Sequence, residues 1–164
     1  TAFNSLHFMS MKITKSATLS LLQKEQVCMI WNNEYPQKLA INTSAFDDFL
    51  RASTGHTHYM IVEDNSEIIG WADTFDRGGD RWFSIIIDGS YQRKGLGHLL
   101  LNLIKEKENR LNGWVIDHHN DIKQNGDYYL SPLPFYMRNG FKVLPETRYE
   151  DEKISALKIE WRKA

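Results

Sequence analysis

Ile85-Ile86-Ile87-Asp88-Gly89-Ser90-Tyr91-Gln92-Arg93-Lys94-Gly95-Leu96-Gly97-His98 is the stretch that decides how this chain reads. A β-branched apolar run meets a short polar turn, then two glycines one residue apart, then an amphipathic run through Lys107. That order predicts a strand, a loop and the start of a helix. The first turn of a helix leaves backbone N–H groups without intrahelical partners, with the positive end of the helix dipole behind them. Such a corner is a ready site for a phosphate or pyrophosphate. Gly95 and Gly97 carry no Cβ to keep an anion away from the backbone, and Arg93 and Lys94 add positive charge beside it.

Two better-known glycine loops fail here. A dinucleotide fingerprint wants a third glycine at position 100, which is Leu100, and a P-loop wants Gly-Lys-Ser/Thr where the chain has Gly95-Leu96-Gly97. The segment Gln92-Arg93-Lys94-Gly95-Leu96-Gly97 instead resembles the acetyl-CoA loop of the GNAT N-acetyltransferase superfamily, Gln/Arg-x-x-Gly-x-Gly/Ala after a strand, with every defined position matched. A second segment, Pro134-Phe135-Tyr136-Met137-Arg138-Asn139-Gly140-Phe141-Lys142-Val143, is similar to the family's closing motif, a tyrosine followed after three residues by Gly-Phe. Asn139-Gly140 is also a good helix stop on physical grounds, and Phe141 and Val143 alternate with Lys142 as a strand begins. The resemblance covers roughly residues 57–145.

The resemblance implies a mixed, mostly antiparallel twisted α/β sheet flanked by about four helices. Acetyl-CoA is the implied cosubstrate. Its pyrophosphate would rest on the backbone of Gln92, Arg93, Lys94, Gly95, Leu96, Gly97 and His98, and its pantetheine arm would follow the strand at Ile86 and Ile87. A backbone N–H near Ile86 or Ile87 would hold the carbonyl oxygen, and Tyr136 matches the family's frequent general acid. The family often has an asparagine about seven residues before that tyrosine. Here the slot is Tyr129, so Asn125 or Ser131 is expected to replace that contact. The general base stays open among Asp73, Asp117, His118, Glu34 and a water chain. Asp117 stands as a base or positioning group, and Glu34 and Asp73 as substrate-side groups. The acidic residues Glu34, Asp47, Asp48 and Asp73 are expected to draw a cationic acceptor, a primary amine of a small molecule or peptide. Two other readings are a non-catalytic acyl-CoA sensor and a modifier of ribosomal or tRNA-associated amines.

The whole chain bounds these readings. With 164 residues, 41% hydrophobic and 25% charged, it suits one globular domain. We divide it into an N-terminal extension or expression remnant over 1–10 and a single acyl-CoA N-acyltransferase domain over 11–164. Twenty basic against 21 acidic side chains leave a net charge of −1, so nothing overall favours nucleic acid. No apolar run approaches the roughly 18–20 residues that span a bilayer, and the start has no secretory pattern, which suggests a cytoplasmic protein without a membrane partner. A homodimer is an open alternative. The one cysteine, Cys28, excludes an internal disulfide framework and suits a small buried position. Asp117-His118-His119-Asn120-Asp121 has metal-ligating residue types, but adjacent histidines on an extended chain point opposite ways, so no metal is expected.

Along the chain, Lys12–Thr14 suggests a short strand. Thr18 or Ser20 caps a helix over Leu21–Asn33 with Leu21, Leu22, Val27, Ile30 and Trp31 on its apolar face. Thr43 or Ser44 opens a second helix to Leu50. Strands follow over His58–Val62, Glu67–Phe75 and Arg81–Asp88, the last two joined by the hairpin signal Arg77-Gly78-Gly79-Asp80. After the glycine loop a helix runs through Lys107, Gly113 breaks the pattern, and Trp114–Ile116 forms a buried strand. Asp117–Tyr129 is loop-like, Pro132 or Pro134 opens a short helix, and two strands close the chain, the last over Ile154–Trp161.

Overall fold

The computed structural model describes residues 11–164. The N-terminal extension expected over residues 1–10 lies outside the described residues. Seven strands form one sheet: β1 (Lys12–Ser16), β2 (Thr54–Val62), β3 (Ile68–Arg77), β4 (Asp80–Ile87), β5 (Arg110–Val115), β6 (Lys142–Glu150) and β7 (Ser155–Arg162). Their order is β1-β2-β3-β4-β5-β7-β6. Every neighbouring pair is antiparallel except β4–β5. Among the described residues four α-helices accompany the sheet: α1 (Leu21–Glu34), α2 (Thr43–Arg51), α3 (Leu96–Lys107) and α4 (Leu133–Arg138). This is the mixed, mostly antiparallel α/β architecture expected from the sequence.

The strand periodicity sorts side chains onto two faces. On one face, Met60, Trp71 and Ile86 pack with Val27, Cys28, Ile30 and Phe46 from α1 and α2. On the other, Ile69, Phe83, Leu111, Leu157 and Ile159 pack with Leu96, Leu100 and Ile104 of α3 and Tyr136 of α4. Cys28 is buried as expected, and burial raises its thiol pKa, with a smaller push from Asp47. Ser20 caps α1 through a full capping box with Gln23. Asn42, rather than Thr43 or Ser44, caps α2 by accepting from the Ala45 N–H.

Three sequence expectations are corrected. Leu21 and Leu22 do not share the apolar face of α1: both are exposed, because α1 turns only Val27, Cys28 and Ile30 fully into the core. The second strand starts at Thr54, not His58: Thr54 pairs with Asp76 and Thr57 with Thr74, across a register irregularity that holds Gly55 and His56. Gly113 does not break the pattern but lies inside β5. A Cβ there would come within 2.8 Å of the Phe83 ring, so the missing side chain makes room for an aromatic on the next strand.

Candidate functional site

The corner between β4 and α3 is built as the sequence suggests, and the structure adds what braces it. Asp88 accepts from the Ser90 N–H across a short 3₁₀ turn, Gly89–Tyr91. The Gln92 amide donates to the Ile87 carbonyl at 2.8 Å and to Glu34 Oε1 at 3.3 Å. Glu34 Oε2 accepts the Gly89 N–H at 2.8 Å, and Lys123 is paired to the same carboxylate at 3.3 Å. Arg93 and Gly95 both take positive φ, 63° and 83°, and Gly95 is the residue from which α3 starts. With glycine in that position no side chain caps the first turn, so the amides of Leu96, Gly97 and His98 face outward as free donors. A Cβ on Gly95 would meet nothing within 4 Å, whereas one on Gly97 would sit 3.3 Å from the Phe135 ring of α4. Gly95 therefore serves the loop conformation and its open front, and Gly97 lets α3 and α4 close on each other. Arg93 and Lys94 are exposed beside the loop, with Lys94 5.4 Å from the Tyr91 ring. The His98 ring turns away to Asn139 Oδ1 at 2.6 Å, leaving its backbone N–H for the corner.

Next to this corner the sheet opens. β4 and β5 share one paired position, Trp82 with Asn112, braced by the Asn112 amide on the Arg81 carbonyl at 2.9 Å. The Trp82 and Trp114 rings stack at 5.3 Å across the same point. Beyond it, no register pair joins the end of β4 to β5 among the described residues. On its other side β4 remains paired with β3 up to Gly70–Ile87, and the Asp88 N–H donates to the Ile69 carbonyl. In an antiparallel ladder alternate residues turn both backbone groups to the partner. Ile86 and Ser84 are therefore bonded to β3, and the groups of Ile85 and the N–H of Ile87 face the opening, the Ile87 carbonyl being taken by Gln92. This corrects the expectation that Ile86 offers its backbone to a ligand: its amide is spent on the ladder and its side chain is buried against α1. Ile85 takes its place beside Ile87.

Tyr136 is buried at the edge of that opening, its ring 5.6 Å from Phe83 and 5.5 Å from Phe141. Burial, and secondarily the nearby Tyr129, raise its phenol pKa well above the ordinary range, so the group stays protonated. Tyr35, at the end of α1, is shifted the same way by burial and by Tyr129 and Tyr136, and its ring lies 6.5 Å from Tyr129. The three phenols thus lie near one another, contributed by the end of α1, the loop before α4 and α4 itself. Tyr35 and Tyr129 were missed in the sequence because they come together only through the loop contacts of the Gln37 N–H with the Ile122 carbonyl and of Pro36 with Lys123. Ser131 does not stand free toward the opening: its hydroxyl ties the Ile116 carbonyl at 2.6 Å to the start of α4. Asn125 is engaged with Asp127 in its own turn.

The acidic residues do not form an open cation funnel. Asp47 is paired with Lys24 at 2.7 Å, Asp48 with Arg51, and Glu34 with the glycine loop. Asp73 has no exposed surface, so it cannot touch an acceptor directly, contrary to its place among the substrate-side groups. It faces His56 at 2.8 Å and His58 at 3.6 Å, and burial pushes its carboxyl up to about 7 against the pull of His56. Burial likewise pushes His58 down to about 4. Asp117 accepts both arms of Arg148 at 3.0 Å, and those hydrogen bonds hold its carboxyl below the usual carboxylate range. That makes it a poor proton acceptor and a good anchor. His118 accepts the Asn120 N–H and His119 the Ser131 N–H, so the two neighbouring rings serve different segments.

With this geometry in place, comparison with known proteins is informative. Residues 55–143, more than half of the chain, match the sequence model of the Acetyltransferase (GNAT) domain. No curated protein matches the sequence significantly. Among solved structures, a candidate phosphinothricin N-acetyltransferase is similar with a TM-score of 0.68 and 15% identity, covering 93% of this chain and 99% of that one. The phosphinothricin acetyltransferase of Sinorhizobium meliloti, solved in complex with acetyl-CoA, is similar with a TM-score of 0.65 and 10% identity, covering 94% and 89%. The ribosomal-protein-S18-alanine N-acetyltransferase of Escherichia coli is similar with a TM-score of 0.59 and 16% identity, covering 92% and 94%. At these identities the likeness is one of fold. No helix among the described residues is long and apolar enough to cross a membrane.

Proposed function

The chain belongs to the GNAT acetyltransferase family, and from that premise we propose that residues 11–164 act as one domain that moves an acetyl group to a primary amine of a small molecule or peptide by direct attack. The protein is an acyltransferase and acetyl-CoA is its cosubstrate. The observation that carries the proposal is the pairing of two vacancies in the backbone: the first-turn amides of α3 after Gly95, and, beside the β4–β5 opening, the groups of Ile85 and the N–H of Ile87, whose carbonyl is taken by Gln92. One suits a diphosphate and the other an extended amide-bearing arm, and they adjoin.

In this reading the residues divide the work. Gln92 and Glu34 hold the loop in shape, while Arg93, Lys94 and the amides through His98 neutralise the diphosphate. The N–H of Ile85 or Ile87 stabilises the negative charge that grows on the carbonyl oxygen when the amine attacks. Tyr136, kept protonated by burial, donates its proton to the departing thiolate. Asp117 positions the β6–β7 side through Arg148 and takes no proton. Among the described residues, no side chain on this side of the sheet is placed as a dedicated base, so in this reading a water takes the amine's proton.

The test is calorimetric titration with acetyl-CoA followed by thiol release across a panel of amines. Binding without thiol release from any amine would make the protein an acyl-CoA sensor. Absence of binding would remove the proposal altogether.

A further inference from the structure

We propose that His56, His58 and Asp73 form a binding site for one divalent transition-metal ion of the zinc class. His56 and His58 lie two residues apart on β2, His56 beside a register irregularity, and their stacked rings share one side of the sheet. Their rings lie parallel, 3° apart in plane and 5.6 Å between centroids. Asp73 is the β3 residue paired with His58. His56 Nδ1 is 2.8 Å from one carboxylate oxygen and His58 Nδ1 is 3.6 Å from the other. One ligand atom from each residue lies within 4.8 Å of the others. A tetrahedral ion with ordinary zinc–nitrogen and zinc–oxygen bonds keeps its ligand atoms about 3.4 Å apart, which falls between those two separations.

Hydrogen-bond accounting makes the cluster unusual. His56 Nε2 lies 2.8 Å from the Leu50 carbonyl, which can only accept, so that nitrogen carries a hydrogen and a neutral ring presents the Nδ1 lone pair. The Trp71 indole N–H donates to His58 Nδ1 at 3.1 Å, so that nitrogen too presents a lone pair. The carboxylate adds only acceptors, and its Oδ1 is buried without a hydrogen-bond partner. Two imidazole nitrogens and a carboxylate therefore lie close together, His58 Nδ1 held by Trp71 and Oδ1 unserved, an arrangement that a cation would complete. A single proton between His56 and Asp73 serves one contact and leaves Oδ1 orphaned. A metal ion serves all three groups, taking over the lone pair now held by Trp71 Nε1. The nearest cation on α1, Lys24, is occupied by Asp47 at 2.7 Å.

The donor set, two imidazoles and one carboxylate, is that of borderline first-row ions, not of magnesium or calcium. A cavity of about 450 Å³, lined by Thr18, Leu19, Leu50, Ser53, His56 and His58 among others, opens beside the cluster. It gives an ion a way in and leaves a coordination position for water. The ion would clamp β2, β3 and the end of α2 rather than meet the acceptor, because Asp73 and His58 are buried.

The purified chain, stripped by a chelator, is titrated with zinc and passed through gel filtration for elemental analysis, and with cobalt for visible absorption. The expected result is one retained equivalent, a cobalt spectrum of low coordination number, and a melting temperature raised by zinc but not by magnesium. His56→Ala, at a partly exposed position, and Asp73→Asn should each lose more affinity than the roughly 10–100-fold that a merely supporting residue costs. Circular dichroism verifies that each variant is folded. If Asp73→Asn unfolds, His56→Ala decides. Less than stoichiometric retention by the wild type, or equal retention by a folded His56→Ala, overturns the site and leaves a shared proton in its place.

Discussion

The carboxylate of Glu34, the last residue of α1, accepts the backbone N–H of Gly89 at 2.8 Å, so a helix on one face of the sheet holds the loop that serves the other. Gln92, which the sequence motif offers to the ligand, is bonded to the same carboxylate. Glu34→Ala removes a charge-assisted bond worth about 1.5–3 kcal/mol to the loop's shape. The dissociation constant for acetyl-CoA should rise roughly 10-fold or more, by calorimetry, while thiol release at saturation changes less. An unchanged constant would remove Glu34 from the loop's support.

The two motif glycines should respond differently. Gly95→Ala places a Cβ at φ 83°, and the left-handed conformation costs about 1–2 kcal/mol in chemical denaturation. Gly97→Ala has no such backbone penalty but crowds Phe135, so its cost should shrink in the double variant with Phe135→Leu. A double-mutant cycle measures that coupling. Strict additivity would mean that α3 and α4 do not meet through Gly97.

Tyr136→Phe keeps the ring among Phe83, Phe135 and Phe141 and removes only the phenolic hydroxyl. Thiol release should fall by about 10²–10⁴-fold with little loss of stability. Because burial raises the phenol above its ordinary value near 10, the wild-type rate should show no alkaline decline from this group up to about pH 10. A descending limb near neutrality that vanishes in Tyr136→Phe would contradict the assignment.

The Asp117–Arg148 pair gives a stability prediction with a definite sign. The folded carboxyl titrates below its unfolded value, so its contribution is complete above the unfolded value of about 4 and disappears as pH falls through the folded one. Both partners are partly solvated, so solvent screening keeps the effect small. Urea midpoints of wild type and Asp117→Asn should differ at pH 7 and converge in acid. A difference that grew in acid would reverse the argument.

What the sequence disclosed depended on whether the physics was local. The β4–α3 corner and the Asn139-Gly140 stop were legible because few residue types reach those backbone conformations, and Gly95 and Gly140 do take φ 83° and 85°. Gly113 was misread because its reason is Phe83, thirty residues earlier and on another strand. β6 carries mostly exposed residues and a register shift between Leu144 and Arg148, so no apolar alternation marked its extent. The acidic residues looked like a funnel because a charge in a sequence carries no record of its partner. Asp73 next to His56 and His58, and Tyr35 next to Tyr129, appear only once the strands and loops are paired.

The solitary junction of Trp82 with Asn112 has a mechanical meaning. Four strands on one side and three on the other are two panels hinged at a single rung, with the stacked indoles of Trp82 and Trp114 as the pin. A molecule seated between the panels acts as the stitching that closes the seam. Resistance to unfolding then tracks the ligand's concentration by mass action, roughly 2.7 kcal/mol at a hundred times its dissociation constant. On the proposed reading, the substrate consumed in each turnover adds to the shared core of Phe83, Leu111 and Ile159 in joining the two halves.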